Sequence, residues 1–470
     1  MQMPSHLLKR VVLLFLTTAC VWPAFSQGMV GTRLFSAEDG LSQYNINAIA
    51  QDGEGFLWMA TRNGLERYDG YSFQHFKSYP ESPVRIGNHH FVRIIPSSGH
   101  LIWCIAYDSR CYYFDTRTLE YGDLRRCNEL FGHQVREVFP LPGGITWLQG
   151  EDVFYRVDEN LLPRPEALRI YKDRDLYGSV LSKVHLDSDG NEWLLTDRYT
   201  LCLGRDRVGR FDPFEYLAQQ GDRLYLANSQ GYLARYDAGS RTLSPCVSET
   251  PLDHVSGLFP MSDGRLAVLR SEGLSLMDMN GEFEHYRIHL SAAPECHQDR
   301  QGRLWLLRGN GHVVLFDPRS GWHKNIDYPK IENTPFTYRL RFFIEDDCGG
   351  IWIKPRDGEF SHYNPEEERL EQVYLYEKGV WNPLRIRTIC YLIDRQHNLW
   401  INEGNGLRQL GFGHRTISFI SPEMPAAARA LEEDGQGRLW VGWKYEGSVR
   451  EGFVCLYDST GRQLVYLQSD

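Results

Sequence analysis

The sequence of 470 residues has little of what would tie it to nucleic acid, to a membrane or to catalysis. It contains no tract of Lys and Arg and its formal net charge is −10, so the clustered cations that hold phosphate backbones or anionic lipid are missing. Beyond residue 27 no apolar stretch approaches the ~20 residues of a bilayer span, which leaves the mature chain without a membrane helix. The ten cysteines are scattered and form no C-x-x-C pair. They suit buried strand positions rather than a disulfide framework, although Cys104 and Cys111 are placed to face each other across a hairpin. The one adjacent histidine pair, His89-His90, has no H-E-x-x-H helix around it, so a zinc centre lacks a second ligand. Nucleophile elbows, Walker loops and dinucleotide fingerprints are absent in any usable context. The expectation is a chain with no catalytic residue, no metal and no cofactor.

The first residues differ from the rest. Lys9 and Arg10 precede an apolar run from Val11 to Trp22 and the small-residue frame Ala24-Phe25-Ser26. That order is the pattern of a secretory signal over residues 1–26, cleaved before Gln27, which places the protein in the periplasm or outside the cell. An uncleaved anchor helix and a lipid on Cys20 are the two other readings of the same segment.

What the sequence does have is a repeat. In "DGEGFLWMATRNG", Asp52 stands six residues before Trp58, Gly55 three before and Gly64 six after. The same frame returns at Asp299 and Trp305, at Asp346 and Trp352, and at Asp394 and Trp400, where His397 replaces the first glycine. It returns without the second glycine at Asp187 and Trp193 and at Asp434 and Trp440. Trp103, Trp147, Tyr225 and Ala267 mark four fainter copies. Ten units at a spacing of roughly 40 to 45 residues, each with short aromatic and branched runs between Gly-rich turns, predict an all-β protein of four-stranded β-propeller blades. Within a unit the Asp starts a turn by accepting backbone N–H groups, the glycines take positive φ, and the Trp packs between blades. Tyr68-Asp69, Phe114-Asp115, Tyr236-Asp237 and Phe316-Asp317 are expected to end third strands.

The opening "LFSAEDGLSQYNINAIAQDGEGFLWMATRNGLERYDGYSFQHF", with Glu38-Asp39-Gly40-Leu41-Ser42 ahead of the first blade, resembles the periplasmic sensor region of hybrid two-component histidine kinases of Bacteroides-like bacteria. The resemblance implies seven-bladed propellers that detect oligosaccharides released from polysaccharides. On that plan residues 27–332 form one seven-bladed propeller and residues 333–470 the first blades of a second, incomplete one. Nothing in the chain resembles a phosphoacceptor domain, an ATP-binding lobe or a receiver, so the expected product is a truncated sensor without kinase residues.

Saccharide recognition favours aromatic faces and planar hydrogen-bonding groups at the mouth of a propeller. The tryptophans outside the repeat frame are Trp322, Trp381 and Trp443, and Arg62 lies in a turn that commonly faces the channel mouth. Arg62, Trp381 and Trp443 are therefore the candidate ligand-binding residues, each with an ordinary surface or core role as the alternative. Asp187–Gly190 and residues 432–437 could instead hold calcium, though solvated turns account for them as well. The expected partners are an oligosaccharide ligand and a second copy of the chain in a homodimer, with no nucleic acid. Two rival functions remain: a propeller lyase or hydrolase acting on glycans, and a protein-binding propeller scaffold.

Overall fold

A computed structural model describes residues 31–470 except 80–85, 130, 133, 172–177, 205–207, 247–251, 289, 291–294, 308–312, 328–341, 347–348, 355–359, 366, 378–379, 385–389, 403–405, 412–425, 434–438, 446–451, 458–462 and 469–470. The secretory segment, Asp434 and Cys348 lie outside the described residues. Among the described residues there is no α-helix, only short 3-10 turns such as Ala37–Asp39 and Leu124–Arg126.

The chain divides into two compact units, residues 1–413 and 414–470. Among the described residues the first contains nine four-stranded antiparallel sheets, which we number as blades in chain order. Blades 1 to 8 cover residues 46–76, 91–122, 137–171, 181–211, 216–245, 255–286, 295–326 and 342–372. Each is a simple meander in which every strand pairs with the next. Blade 9 supplies only three strands from residues 391–411, and its fourth is the N-terminal strand Gly31–Phe35, paired antiparallel with Leu407–Gly411. The hairpin Tyr374–Glu377 and Val380–Pro383 lies between blades 8 and 9 in the chain. The second unit holds one four-stranded sheet, residues 426–468.

All ten reference positions of the repeat fall on the second strand of their sheets, from Trp58 in Leu57–Thr61 to Trp440 in Leu439–Tyr445. Burial explains why. Side chains of a strand alternate between two faces, and a blade packed on both sides must be apolar on both. Second strands such as Leu57–Thr61, Leu101–Ala106 and Glu192–Thr196 are accordingly buried throughout.

Each pair of successive blades shares a hydrophobic cluster. Trp58, Phe76, Phe91 and Phe114 join blades 1 and 2, and Trp193, Leu195, Leu217 and Leu226 join blades 4 and 5. The series does not stop at blade 9, because Phe35, Trp400 and Leu407 pack against Ile46, Leu57 and Met59 of blade 1. The nine sheets therefore close on themselves.

The all-β propeller class is thus as the repeat predicts, but the division into seven blades and an unfinished second ring is not how the chain is built. The boundary expected at residues 332 and 333 falls between blades 7 and 8, which share Trp305, Leu315, Ile351 and Ile353 in one cluster. The ring takes in two further blades before the N-terminal strand completes it. Cys104 and Cys111 also depart from expectation. Cys111 pairs directly with Ile105, so Cys104, one residue away, points to the opposite face. Cys104 packs between blades 1 and 2 and Cys111 between blades 2 and 3, and both are free thiols.

Candidate functional site

Antiparallel order puts the turn between first and second strands at one end of each blade. The turn between second and third strands lies at the other end, with the connection into the next blade. The first of these ends is saturated by its own hydrogen bonds. Asp52 Oδ1 accepts the N–H groups of Glu54, Gly55 and Phe56 at 2.9, 2.9 and 3.0 Å, while Oδ2 accepts the Trp58 indole N–H at 2.7 Å. Asp187, Asp299, Asp346 and Asp394 hold Trp193, Trp305, Trp352 and Trp400 in the same way at 2.8–2.9 Å.

The two tryptophans whose repeats lack that aspartate find a substitute. Trp103 Nε1 donates to Glu159 at 2.9 Å and Trp147 Nε1 to Glu192 at 2.6 Å. Glu192 is in turn gripped by Arg156 at 2.6 Å. These carboxylates are consumed in binding indole and backbone, which leaves Asp187 no free oxygen with which to build the calcium loop considered above.

The opposite end is open and chemically different. Arg62 is exposed in the turn between the second and third strands of blade 1, beside Asn63. The Tyr79 hydroxyl donates to Asn63 Oδ1 at 3.1 Å. The connection into blade 2 runs past this turn, where Gly64 N–H donates to the His89 carbonyl at 2.6 Å and Tyr107 N–H to the His90 carbonyl at 3.0 Å. The His90 ring stacks on Tyr107, centroids 4.8 Å apart and planes inclined by 9°. Partial burial, and then the charge of Arg62, push His90 below its usual range, so its ring is neutral at pH 7. Tyr79 and Tyr107 are 51% and 75% exposed, unusual for tyrosines in a chain whose other rings are mostly packed.

The first strands of the blades face one another around the axis and are polar there. Asn47 donates to the Phe91 carbonyl at 2.7 Å, Arg93 pairs with Glu137 at 2.6 Å, Lys183 donates to the Leu217 carbonyl at 2.7 Å, and His185 meets Gln219 at 2.9 Å. Each contact ties one blade to the next, so a turn on the open end is held by its own sheet and by its neighbour.

Of the residues singled out from sequence, Arg62 joins this surface. Trp381 lies on the strand Val380–Pro383 and Trp443 on Leu439–Tyr445 in the second unit, and the side chains of both fall outside the described residues. Trp322 is 46% exposed on a turn of blade 7. Tyr79, His90 and Tyr107 were not singled out. Their signal was present as aromatic rings outside the repeat frame, but His90 had been weighed only as a zinc ligand.

The Asp52–Trp58 turn and the start of the Arg62–Asn63 turn belong to one stretch of chain that has known counterparts. Residues 40–63 match the two component regulator propeller family. This regulator-propeller match agrees with the resemblance carried by Glu38–Ser42 and blade 1. Over 52 residues, 11% of the chain, the sequence is 42% identical to Histidine kinase P4 of Formosa agariphila, and that stretch is 4% of the kinase. The chain is also similar to the extracellular domain of a candidate hybrid two component system from B. thetaiotaomicron, at 16% identity and a TM-score of 0.34, covering 93% of this chain and 66% of that one. Streptogramin B lyase is similar at 12% identity and a TM-score of 0.35, covering 81% of this chain and 97% of the lyase. The chain thus spans just under two thirds of that extracellular domain and a small fraction of the kinase.

Proposed function

We propose that this chain is the extracytoplasmic ligand-sensing part of a two-component signal-transduction regulator, and that its ligand is an oligosaccharide derived from a polysaccharide. The observation that carries the reading is the open end of blades 1 and 2. There a regulator-propeller repeat ends in an exposed arginine next to two exposed tyrosines and a neutral, stacked histidine. Flat aromatic faces suit the apolar face of a pyranose ring, and Arg62, Asn63 and His90 supply the planar donors and acceptors that fix its hydroxyls. Trp381 and Trp443 are proposed as further ligand contacts on the strength of their place outside the repeat frame.

The chain performs no chemistry of its own on this reading. Ligand binding shifts the balance between two packings of the sensor, or between monomer and homodimer, and a phosphorelay partner reads the difference. The protein is proposed to work in the periplasm, delivered there by residues 1–26.

The test is isothermal titration of the purified chain with oligosaccharide pools from partial hydrolysis of starch, xylan and pectin. Saturable binding to one pool is expected, with Arg62→Ala and Tyr107→Ala each weakening it by about tenfold or more. No binding to any pool, or binding untouched by both substitutions, would overturn the assignment. Release of new reducing ends during the titration would favour a glycan-cleaving enzyme instead.

A further inference from the structure

The open end also carries a second concave site beside blade 2, lined by other side chains than Arg62, Tyr79, His90 and Tyr107. An open cavity of about 630 Å³ is lined by the Ile86-Gly87 segment, by Arg110 in the turn before the third strand, by Tyr112 on that strand, by Tyr121 and Gly122 on the fourth, and by Asp123 and the 3-10 turn Leu124–Arg126. Its volume lies within the ~300–1,000 Å³ typical of small-molecule sites. Three arginines, Arg110, Arg125 and Arg126, line it, against Asp123 in the wall and Asp108 beside Arg110. In a chain with a net charge of −10 such a local excess of positive charge is out of character.

The wall is rigid. Arg110 follows Ser109, whose φ is 63°, and its own backbone bridges to Gln134, while Asp108 holds its side chain at 3.3 Å. Asp123 caps the 3-10 turn and holds Arg125 through Nε at 3.0 Å and Nη2 at 2.9 Å, which aims the remaining edge of that guanidinium away from Asp123. Tyr112 and Tyr121 stack at 5.0 Å. The Tyr121 hydroxyl is buried against the Gly87 backbone, whose N–H faces it.

We propose that this cavity binds a small ligand carrying a carboxylate or sulfate group, with Arg110 and Arg126 as its principal cationic contacts. The guanidinium fork matches both oxyanions, and the positively charged wall disfavours neutral ligands of the same size. This site is independent of the saccharide reading, since it shares no side chain with the Arg62 and Tyr107 surface.

The experiment is titration of the purified chain with glucuronic acid, sodium sulfate and, as the neutral control, glucose, followed by the Arg110→Ala/Arg126→Ala double variant. Both arginines are exposed side chains, and the thermal unfolding midpoint of the variant checks that it remains folded. Saturable binding of glucuronic acid or sulfate, no binding of glucose, and a loss of about tenfold or more in the double variant are expected. Preference for glucuronic acid marks an acidic sugar as the source of the group, and equal binding of sulfate marks a bare oxyanion site. Absence of anion binding, or binding unchanged in a folded double variant, would overturn the proposal. Because Arg62→Ala leaves this cavity intact, loss of oligosaccharide binding in that variant with anion binding retained separates the two sites.

Discussion

At the scale of single residues the fold rests on a bond between two side chains six positions apart. An aspartate that only shaped a turn could be replaced by asparagine or serine at little cost, but Asp52 also holds a fully buried indole N–H. Asp52→Ala is expected to destabilise the protein by about 3 kcal/mol, because three backbone donors and the Trp58 indole lose their acceptor together. Chemical denaturation reads the difference, and a change within about 0.5 kcal/mol would show that the turn rather than the indole bond matters. His397 marks the reverse situation. It occupies the first glycine position of the repeat and adopts φ 58°, a left-handed conformation that costs a side chain about 1 kcal/mol. His397→Gly should therefore raise stability by an amount of that order, and a loss would show that the imidazole makes contacts worth more than the strain. The requirement for aspartate, tryptophan and glycine was legible from spacing. The carboxylate–indole bond that explains their joint recurrence was not, since spacing records position and not direction.

At the scale of the element, each blade depends on how its outer strand meets the turn between the second and third. A methyl group on Gly64 would lie 2.1 Å from the carbonyl oxygen of Phe76, the last residue of blade 1's fourth strand. On Gly406 of blade 9 it would lie 2.3 Å from the carbonyl of Phe35. Phe35 thus stands in blade 9 where Phe76 stands in blade 1, which makes Gly31–Phe35 a true fourth strand. The second glycine of the repeat was legible as a turn residue, and its cause is this close approach. The third strands end as expected at the Tyr-Asp and Phe-Asp pairs, at Tyr68, Asp115, Asp237 and Phe316, and three of the aspartates there titrate with the fold. Backbone N–H bonds from Ser72, Ser240 and Arg319 hold Asp69, Asp237 and Asp317 below the usual carboxylate range. A carboxylate with a depressed folded pKa contributes stability above its unfolded value of about 3.9 and loses it as pH falls through the folded value. The thermal midpoint is therefore expected to hold from neutral pH to about pH 4 and to drop below it. Glu66 opposes this weakly, since burial raises its pKa and it protonates first. A midpoint that rose on acidification below pH 4 would contradict the turn assignment.

At the scale of the whole first unit, the count of blades was the part that sequence could not supply. A repeat fixes what one blade is and how it packs on the next, but the number that close a ring depends on the wedge angle set by side-chain volume at every interface. The pairing that settles it joins residues 31–35 to 407–411, far outside any local pattern. The candidate surface was legible only through Arg62, because Tyr79, His90 and Tyr107 come together when the connection between blades 1 and 2 folds across both turns. Ring closure keeps blade 1 braced on both sides and so holds that surface in place.

The most direct test of this account is the Arg33→Cys/Gln409→Cys double variant, oxidised and examined by peptide mass spectrometry, since these two residues are register partners in the closing strand pair. The account predicts an intramolecular disulfide between positions 33 and 409 in the folded monomer. No such link, or a link formed only between molecules, would contradict a ring closed by its own N-terminal strand.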